Sequence, residues 1–376
     1  MPENRLQRLH EAGQSIWLDY IDRPMLLNGE LERRVRDDAL TGMTSNPTIF
    51  EKALAEGNAY DAQLGTAGGD RTPWELFELI ATEDVRTACD HFAAVHEATG
   101  GADGFVSIEV SPGAAHDVED SLVEARRLWR DVGRPNAMVK VPGTPEGAIA
   151  ARALLAEGIN VNITLLFALD AYSAVIEAYM GALEDRIAAG RPVDRIASVA
   201  SFFVSRVDTE ADKRIDAVVA SAVPGGSRLA ALKGRIAIAN AKLAYALFQQ
   251  RFSGPRWAAL AAKGARVQRP LWASTSAKNP AYRDVIYVEE LIGPHTVNTM
   301  PLQTLEAFRD HGVVRRTVDA GVDEASRDIA ALEAAGIPLA AITDKLLVDG
   351  VASFAKSFDG LLAGLERKTA SLANAT

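Results

Sequence analysis

The stretch Asn136-Ala137-Met138-Val139-Lys140-Val141-Pro142-Gly143-Thr144 sets one ammonium inside a run that otherwise reads as a strand buried on both faces. Val139 and Val141 flank Lys140, Met138 stands two residues before it, and Pro142-Gly143 closes the strand. A lysine near the end of an internal strand has to be neutral, paired or reactive, because an uncompensated buried charge is costly. Desolvation disfavours the ammonium form, and a free amine attacks carbonyls. The run therefore points to Schiff-base (iminium) chemistry on a sugar or keto substrate. The competing reading is that Lys140 reaches a surface carboxylate.

The same strand-and-helix grammar repeats on both sides of this run. Before it, Phe105 to Val110 reads as a strand carrying Glu109 near its end, and a helix with apolar helical spacing follows over Val118–Val132. After it, Thr144-Pro145 caps a helix that stops at Gly158. Ile159 to Phe167 is the next strand, with Asn160, Asn162 and Thr164 alternating with apolar residues and so sharing one face. A helix over 171–189 leads to the strand Arg195 to Val204, which ends in Ser205-Arg206.

Upstream, Ser15 to Ile21 is a strand-like run with Asp19 inside it, and Gly42 to Asn46 is a second. Pro47 opens a helix with Asn46 as its N-cap, and Thr72-Pro73 repeats the device. Downstream, the strands Arg269 to Thr275 and Thr296 to Met300 complete a set of eight candidates, mostly separated by helices. A mid-chain spacing of roughly thirty residues suits the βαβ unit. Repeated eightfold, that unit closes as a barrel, so the expected fold is α/β, a (β/α)8 TIM barrel with additional helices. A doubly wound open sheet is the rival. The expected organisation is one domain over 1–376, with a helical elaboration around 208–265 and a helical C-terminal segment 302–376 whose alanine-rich end is loose.

With 48% hydrophobic and 24% charged residues, the composition is that of an ordinary globular chain. A formal net charge of -10 argues against nucleic-acid or anionic-membrane partners, and an anionic ligand would need a local cluster of cations. The single cysteine, Cys89, allows no intramolecular disulfide and reads as a buried inert thiol. The start lacks the apolar core of a signal peptide and no run is long enough to span a membrane, so a cytoplasmic location is expected.

In a barrel, reactive groups collect at the C-terminal ends of the strands. Asp19, Asn46, Glu109, Lys140, Asn162 with Thr164, Ser201 with Arg206, and Ser274 all fall there. Each alone has a plain reading as a cap or a backbone-bonded hydroxyl, yet unrelated strands have no reason to put polar groups at one end. Iminium chemistry needs several proton transfers, which carboxylates beside the amine supply. Glu109 with Thr164 is placed to hold a relay water, and Asp19 to act on the substrate hydroxyl. Arg206 and Lys278, with hydroxyls from Ser201 and Ser274, suit a phosphate monoester.

Other chemistries find little support. Gly100 to Gly104 lacks dinucleotide-fingerprint spacing, there is no Walker-type loop, and no Gly-x-Ser-x-Gly elbow occurs. His10, His91, His96, His116, His295 and His311 show no metal-ligand spacing, so no metal is expected.

The blocks Thr44 to Thr48, Val106 to Glu109, Val139 to Thr144, Asn160 to Phe167 and Ser201 to Arg206 resemble, in order, those of the transaldolase family. The length and the block Trp272 to Asn279 resemble its longer bacterial branch. The resemblance implies a (β/α)8 barrel, a Schiff-base lysine at Lys140, and transfer of a dihydroxyacetone unit from sedoheptulose 7-phosphate to glyceraldehyde 3-phosphate in the pentose phosphate pathway, without a cofactor. It implies that Asp19 is the acid/base in carbon–carbon cleavage and that Glu109 and Thr164 bind the catalytic water. Asn46 and Asn162 would bind substrate hydroxyls, Phe203 would face the substrate, and Ser201, Arg206 and Ser274 would hold the phosphate end. Many members carry an arginine two residues after the serine matching Ser274; this chain has Ser276 there, and Lys278 is the candidate substitute. The related fructose 6-phosphate aldolases have glutamine where Glu109 stands and tyrosine where Phe203 stands. The expected partners are small-molecule sugar phosphates, with no nucleic acid and no membrane, and a homodimer is left open.

Overall fold

The computed structural model describes residues 4–374 apart from 56, 68–70 and 222–225, so the last four, inside the 208–265 elaboration, lie outside the described residues. Eight strands run β1 Gln14–Asp19, β2 Leu40–Thr44, β3 Phe105–Glu109, β4 Ala137–Pro142, β5 Val161–Leu166, β6 Ser198–Phe203, β7 Arg269–Ala273 and β8 Thr296–Met300. They pair in chain order, all in parallel, and β8 returns to β1 from Gln14↔Thr296 to Leu18↔Met300. This closure makes the sheet a (β/α)8 barrel with extra helices and excludes the open doubly wound alternative.

Local chemistry explains where the connecting helices start and stop. Thr72 and Glu75 form a reciprocal capping box at the helix Pro73–Ala98. Thr144 Oγ1 accepts the Gly147 N–H at 3.0 Å to cap the helix Pro145–Glu157. Gly147 sits so close to the end of β4 that a Cβ there would lie 1.8 Å from the Pro142 carbonyl oxygen. That turn can only be built with glycine, and it returns the chain tightly from the lysine strand.

Strands β2 to β6 and β8 are buried along their whole length, inside a jacket of helices that supplies the apolar partner surface. At the N-terminal end the barrel is closed by a polar plug. Asp103 accepts hydrogen bonds from Ser15, from Trp17 Nε1 at 2.9 Å and from Arg269, and Arg269 Nη1 also donates to Ser15 Oγ at 2.6 Å. Trp17, which donates to Asp103, is fully buried there, while Trp272 packs on Phe202 and donates to the Leu291 carbonyl at 3.0 Å. The open mouth is therefore the opposite end, where the strands finish.

The helices Ser205–Ala220, Gly226–Ala230, Ile236–Arg251 and Pro255–Ala261 occupy the stretch between β6 and β7. Asn240 Nδ2 donates to the Phe167 carbonyl at 2.8 Å, tying this layer to the end of β5. After β8 come the helix Leu302–His311, a non-helical passage, the helix Val322–Ala334 and the long helix Leu339–Ala373. The long helix is anchored as far as Lys368. Leu361 and Leu365 are buried, Thr48 Oγ1 bonds Ser357 Oγ at 2.8 Å, and Lys368 pairs with Asp61 at 2.8 Å. The long helix thereby crosses back over the helix Pro47–Ala55 and brings Phe354 to the barrel mouth. Among the described residues no helix is long and apolar enough to cross a membrane.

Candidate active site

Strand register assembles the chemistry. Glu109 on β3 is level with Lys140 on β4, and Lys140 is level with Asn162 on β5. Asp19 on β1 is level with Thr44 on β2. Neighbouring residues in register project to the same side, so these groups all face into the barrel mouth, with Thr44 level with Ser107, two residues before Glu109.

Lys140 does not reach the surface. Its Nζ donates to the Ser45 carbonyl at 3.0 Å and to Glu109 Oε2 at 3.1 Å. The two side chains are 6% and 5% exposed. Burial raises the Glu109 carboxyl above its ordinary value, with the Lys140 charge and hydrogen bond opposing. Burial likewise raises Asp19, against the Lys140 charge and a hydrogen bond from Thr44 Oγ1 at 2.7 Å. Thr44 Oγ1 in turn lies 2.7 Å from Thr299 Oγ1. Two carboxyls held back from ionising beside one amine are groups suited to exchanging protons.

Two buried polar atoms beside this pair, Glu109 Oε1 and Thr164 Oγ1, have no hydrogen-bond partner among the described residues. Asn162 is committed on both sides, donating to Ser107 Oγ at 3.0 Å and accepting from Ser201 Oγ at 2.6 Å. Asn46 Oδ1 caps the helix Pro47–Ala55 through the Ile49 N–H at 3.0 Å.

The mouth encloses a cavity of about 140 Å³ walled by Asp19, Asn46, Lys140, Thr164, Ser201, Phe203, Arg206, Ser274 and Lys278, all expected from the sequence. Glu109 and Asn162 lie behind that wall, in contact with Lys140 and Ser201 respectively. The wall also contains Ser276, noted from the sequence only as a departure, and Thr44, Thr299 and Phe354, which sequence reasoning missed. Threonines in strands are ordinary β formers, and Phe354 comes from a distant helix, so nothing local marks them. Size does not identify this cavity. A groove of about 580 Å³ between Pro145, Leu169 and Leu347 is larger but mainly apolar, with Asp170, Glu333 and Asp344 and no cation in its lining.

At the far side of the cavity lies a cationic end. The Arg206 guanidinium stands over the Phe203 ring, 5.1 Å from its centroid, and Lys278 Nζ donates to Ser276 Oγ at 2.7 Å. Among the described residues neither cation pairs with a carboxylate. Burial lowers both below their ordinary values, and at Lys278 the Arg206 charge lowers it further. Ser274 adopts φ 56, an unfavourable region for serine that strained functional loops retain, and its hydroxyl is 3.0 Å from that of Ser205. Two unpaired cations flanked by hydroxyls make a receptor for a dianion. Among the described residues no group of three His, Cys, Asp or Glu side chains converges as a metal site.

Comparison with known proteins shows what the chain is similar to. The family model described as transaldolase/fructose-6-phosphate aldolase matches residues 16–365. "Transaldolase 2" of Nostoc sp. is 46% identical over 375 residues, covering 98% of each chain. "Transaldolase" of Thermobifida fusca is 48% identical over 95% of this chain and 96% of its own. "Transaldolase" of Mycobacterium leprae is 44% identical over 98% and 97%.

Proposed function

The chain belongs to the transaldolase/fructose-6-phosphate aldolase family, and on that premise we propose that it carries out the transaldolase reaction through an iminium on Lys140. The reaction moves a dihydroxyacetone unit from sedoheptulose 7-phosphate to glyceraldehyde 3-phosphate, giving erythrose 4-phosphate and fructose 6-phosphate, within the pentose phosphate pathway.

The observation that carries the iminium reading is the buried Lys140–Glu109 pair, with Asp19 in the same cavity wall. When the Lys140 proton passes to Glu109, the amine attacks the ketose carbonyl carbon and a carbinolamine forms. Its hydroxyl leaves as water after taking a proton from Glu109, directly or through a water bound by Glu109 Oε1 and Thr164 Oγ1. Their unpartnered oxygens support that water site. Asp19 then removes the proton of the hydroxyl on the carbon beyond the bond to be broken. The bond electrons flow into the iminium, the aldehyde departs, and an enamine remains on Lys140. The enamine attacks the acceptor aldehyde, Asp19 returns its proton to the new hydroxyl, and water releases the product by reversing the first steps.

Asn46 and Asn162 are assigned to substrate hydroxyls, and Arg206, Lys278, Ser274 and Ser201 to the phosphate end, with Phe203 beneath Arg206. Among these, Ser201 and Asn162 act as a bonded unit. The missing family arginine at Ser276 is met by Lys278, whose ammonium rests on the Ser276 hydroxyl. We extend the reading to a single functional domain over 1–376, to a cytoplasmic location, supported by the lone cysteine, and to a homodimer, for which sedimentation of the purified chain is the test.

A coupled assay distinguishes transfer from simple cleavage. Erythrose 4-phosphate formed only in the presence of an aldehyde acceptor supports the proposal; steady release of free dihydroxyacetone opposes it.

A further inference from the structure

Asp208 and Asp212 occupy successive turns of the helix Ser205–Ala220 and have no part in the chemistry above. Both are buried, at 1% and 8% exposure. Asp208 accepts the Ala237 N–H at 2.7 Å and the Tyr287 hydroxyl at 2.8 Å. Asp212 accepts the Gly234 N–H at 3.1 Å and the Tyr282 hydroxyl. Gly234 has φ +72, and a Cβ there would fall 2.8 Å from the Tyr282 ring. The phenol is thus clamped between a carboxylate and a turn that admits only glycine.

Tyr282 lies at the end of the segment 274–282, which leaves β7 and carries Ser274, Ser276 and Lys278. Its other end is held to the same helix, because the Ser205 N–H donates to the Ser274 carbonyl at 2.9 Å. Arg206 sits in the first turn of that helix. Behind Lys278, a cleft of about 400 Å³ is lined by Asp208, Asp212, Tyr282 and Tyr287. Arg206 and Lys278 repel one another, and a lysine stem has ample rotamer freedom. Asp19 attracts both cations, so what the tether adds is a fixed anchor for the segment from which Lys278 reaches. Two carboxylates buried a turn apart are costly to maintain for packing alone.

We propose that Asp212 with Tyr282, backed by Asp208 with Tyr287, are positioning residues that hold Lys278 beside Arg206 and thereby set the affinity for the phosphate end of the sugar without touching it. The inference rests on the reading of Arg206 and Lys278 as the phosphate-holding pair.

The test compares fructose 6-phosphate with unphosphorylated fructose as donor, at saturating acceptor, in full-length Tyr282→Phe, Asp212→Asn, Lys278→Ala and Arg206→Ala. Tyr282→Phe removes one hydroxyl and keeps the ring against Gly234, so it stays folded even if Asp212→Asn does not. Its KM for fructose 6-phosphate should rise about fivefold, the effect of one lost hydrogen bond, with kcat and the KM for fructose unchanged. The double variant with Lys278→Ala should be no worse than Lys278→Ala alone. A phosphate-dependent defect in Lys278→Ala with none in Tyr282→Phe would overturn the positioning role and spare the phosphate assignment. No phosphate-dependent defect in either Lys278→Ala or Arg206→Ala would overturn both.

Discussion

The Lys140 amine donates to Glu109 Oε2 at 3.1 Å, and both members of the pair are almost wholly withdrawn from solvent. A buried amine beside a carboxyl that burial disposes toward protonation can pass its proton back and forth within one contact. Glu109→Gln keeps the shape but not the proton exchange. It should lower kcat by about 10²–10⁴-fold, the usual worth of a general acid–base, with a small change in KM. Steady-state kinetics check this; a loss confined to KM would contradict it.

Asp19 offers a pH test. Its carboxyl is raised by burial and lowered by the Lys140 charge and the Thr44 hydrogen bond. A base works only when ionised, so activity should be present above the Asp19 pKa and fall as pH drops through it. That acid limb lies above the ordinary aspartate value of about 3.9. Thr44→Val removes a hydrogen bond that favours the carboxylate, so the limb of kcat/KM should move to higher pH. A limb that stays put or moves lower would contradict the assignment.

For Arg206, loss of a charge-assisted phosphate contact should cost about 1.5–3 kcal/mol in binding phosphorylated donors, roughly 10- to 150-fold. Unphosphorylated donors should lose far less in Arg206→Ala. An equal loss for both would remove the guanidinium from the phosphate site.

Stability should also respond to Asp208, whose carboxyl is pushed up to about 7 by burial, with Asp212 adding to the shift. The native state then holds a proton that the unfolded chain has already released near pH 3.9. This group's contribution favours folding at low pH and is lost as pH rises between about 4 and 7. Asp208→Asn should flatten the pH dependence of the denaturation midpoint across that window. An unchanged slope would contradict the raised carboxyl.

Much of this molecule was legible before its coordinates. Each of the eight strands overlaps its expected run, although β2 begins at Leu40, two residues before the expected Gly42. Lys140 and Glu109 stood out because a charge in a buried strand is conspicuous. What the chain could not disclose depends on register and on distant packing. The pairing of Lys140 with Glu109, rather than with a surface carboxylate, follows from β3 and β4 lying level. Ser201 bonding Asn162 requires the β5 and β6 alignment. Thr44 and Thr299 meet only when the barrel closes between β8 and β1. Phe354 enters the cavity from a helix far away in the chain, whose Leu361 and Leu365 are buried.

Reduction with borohydride in the presence of fructose 6-phosphate, followed by peptide mapping, tests the central claim most directly. The account predicts one stable adduct, on Lys140, with Lys140→Ala folded, inactive and unlabelled. An adduct on another lysine, or turnover by Lys140→Ala, would contradict it.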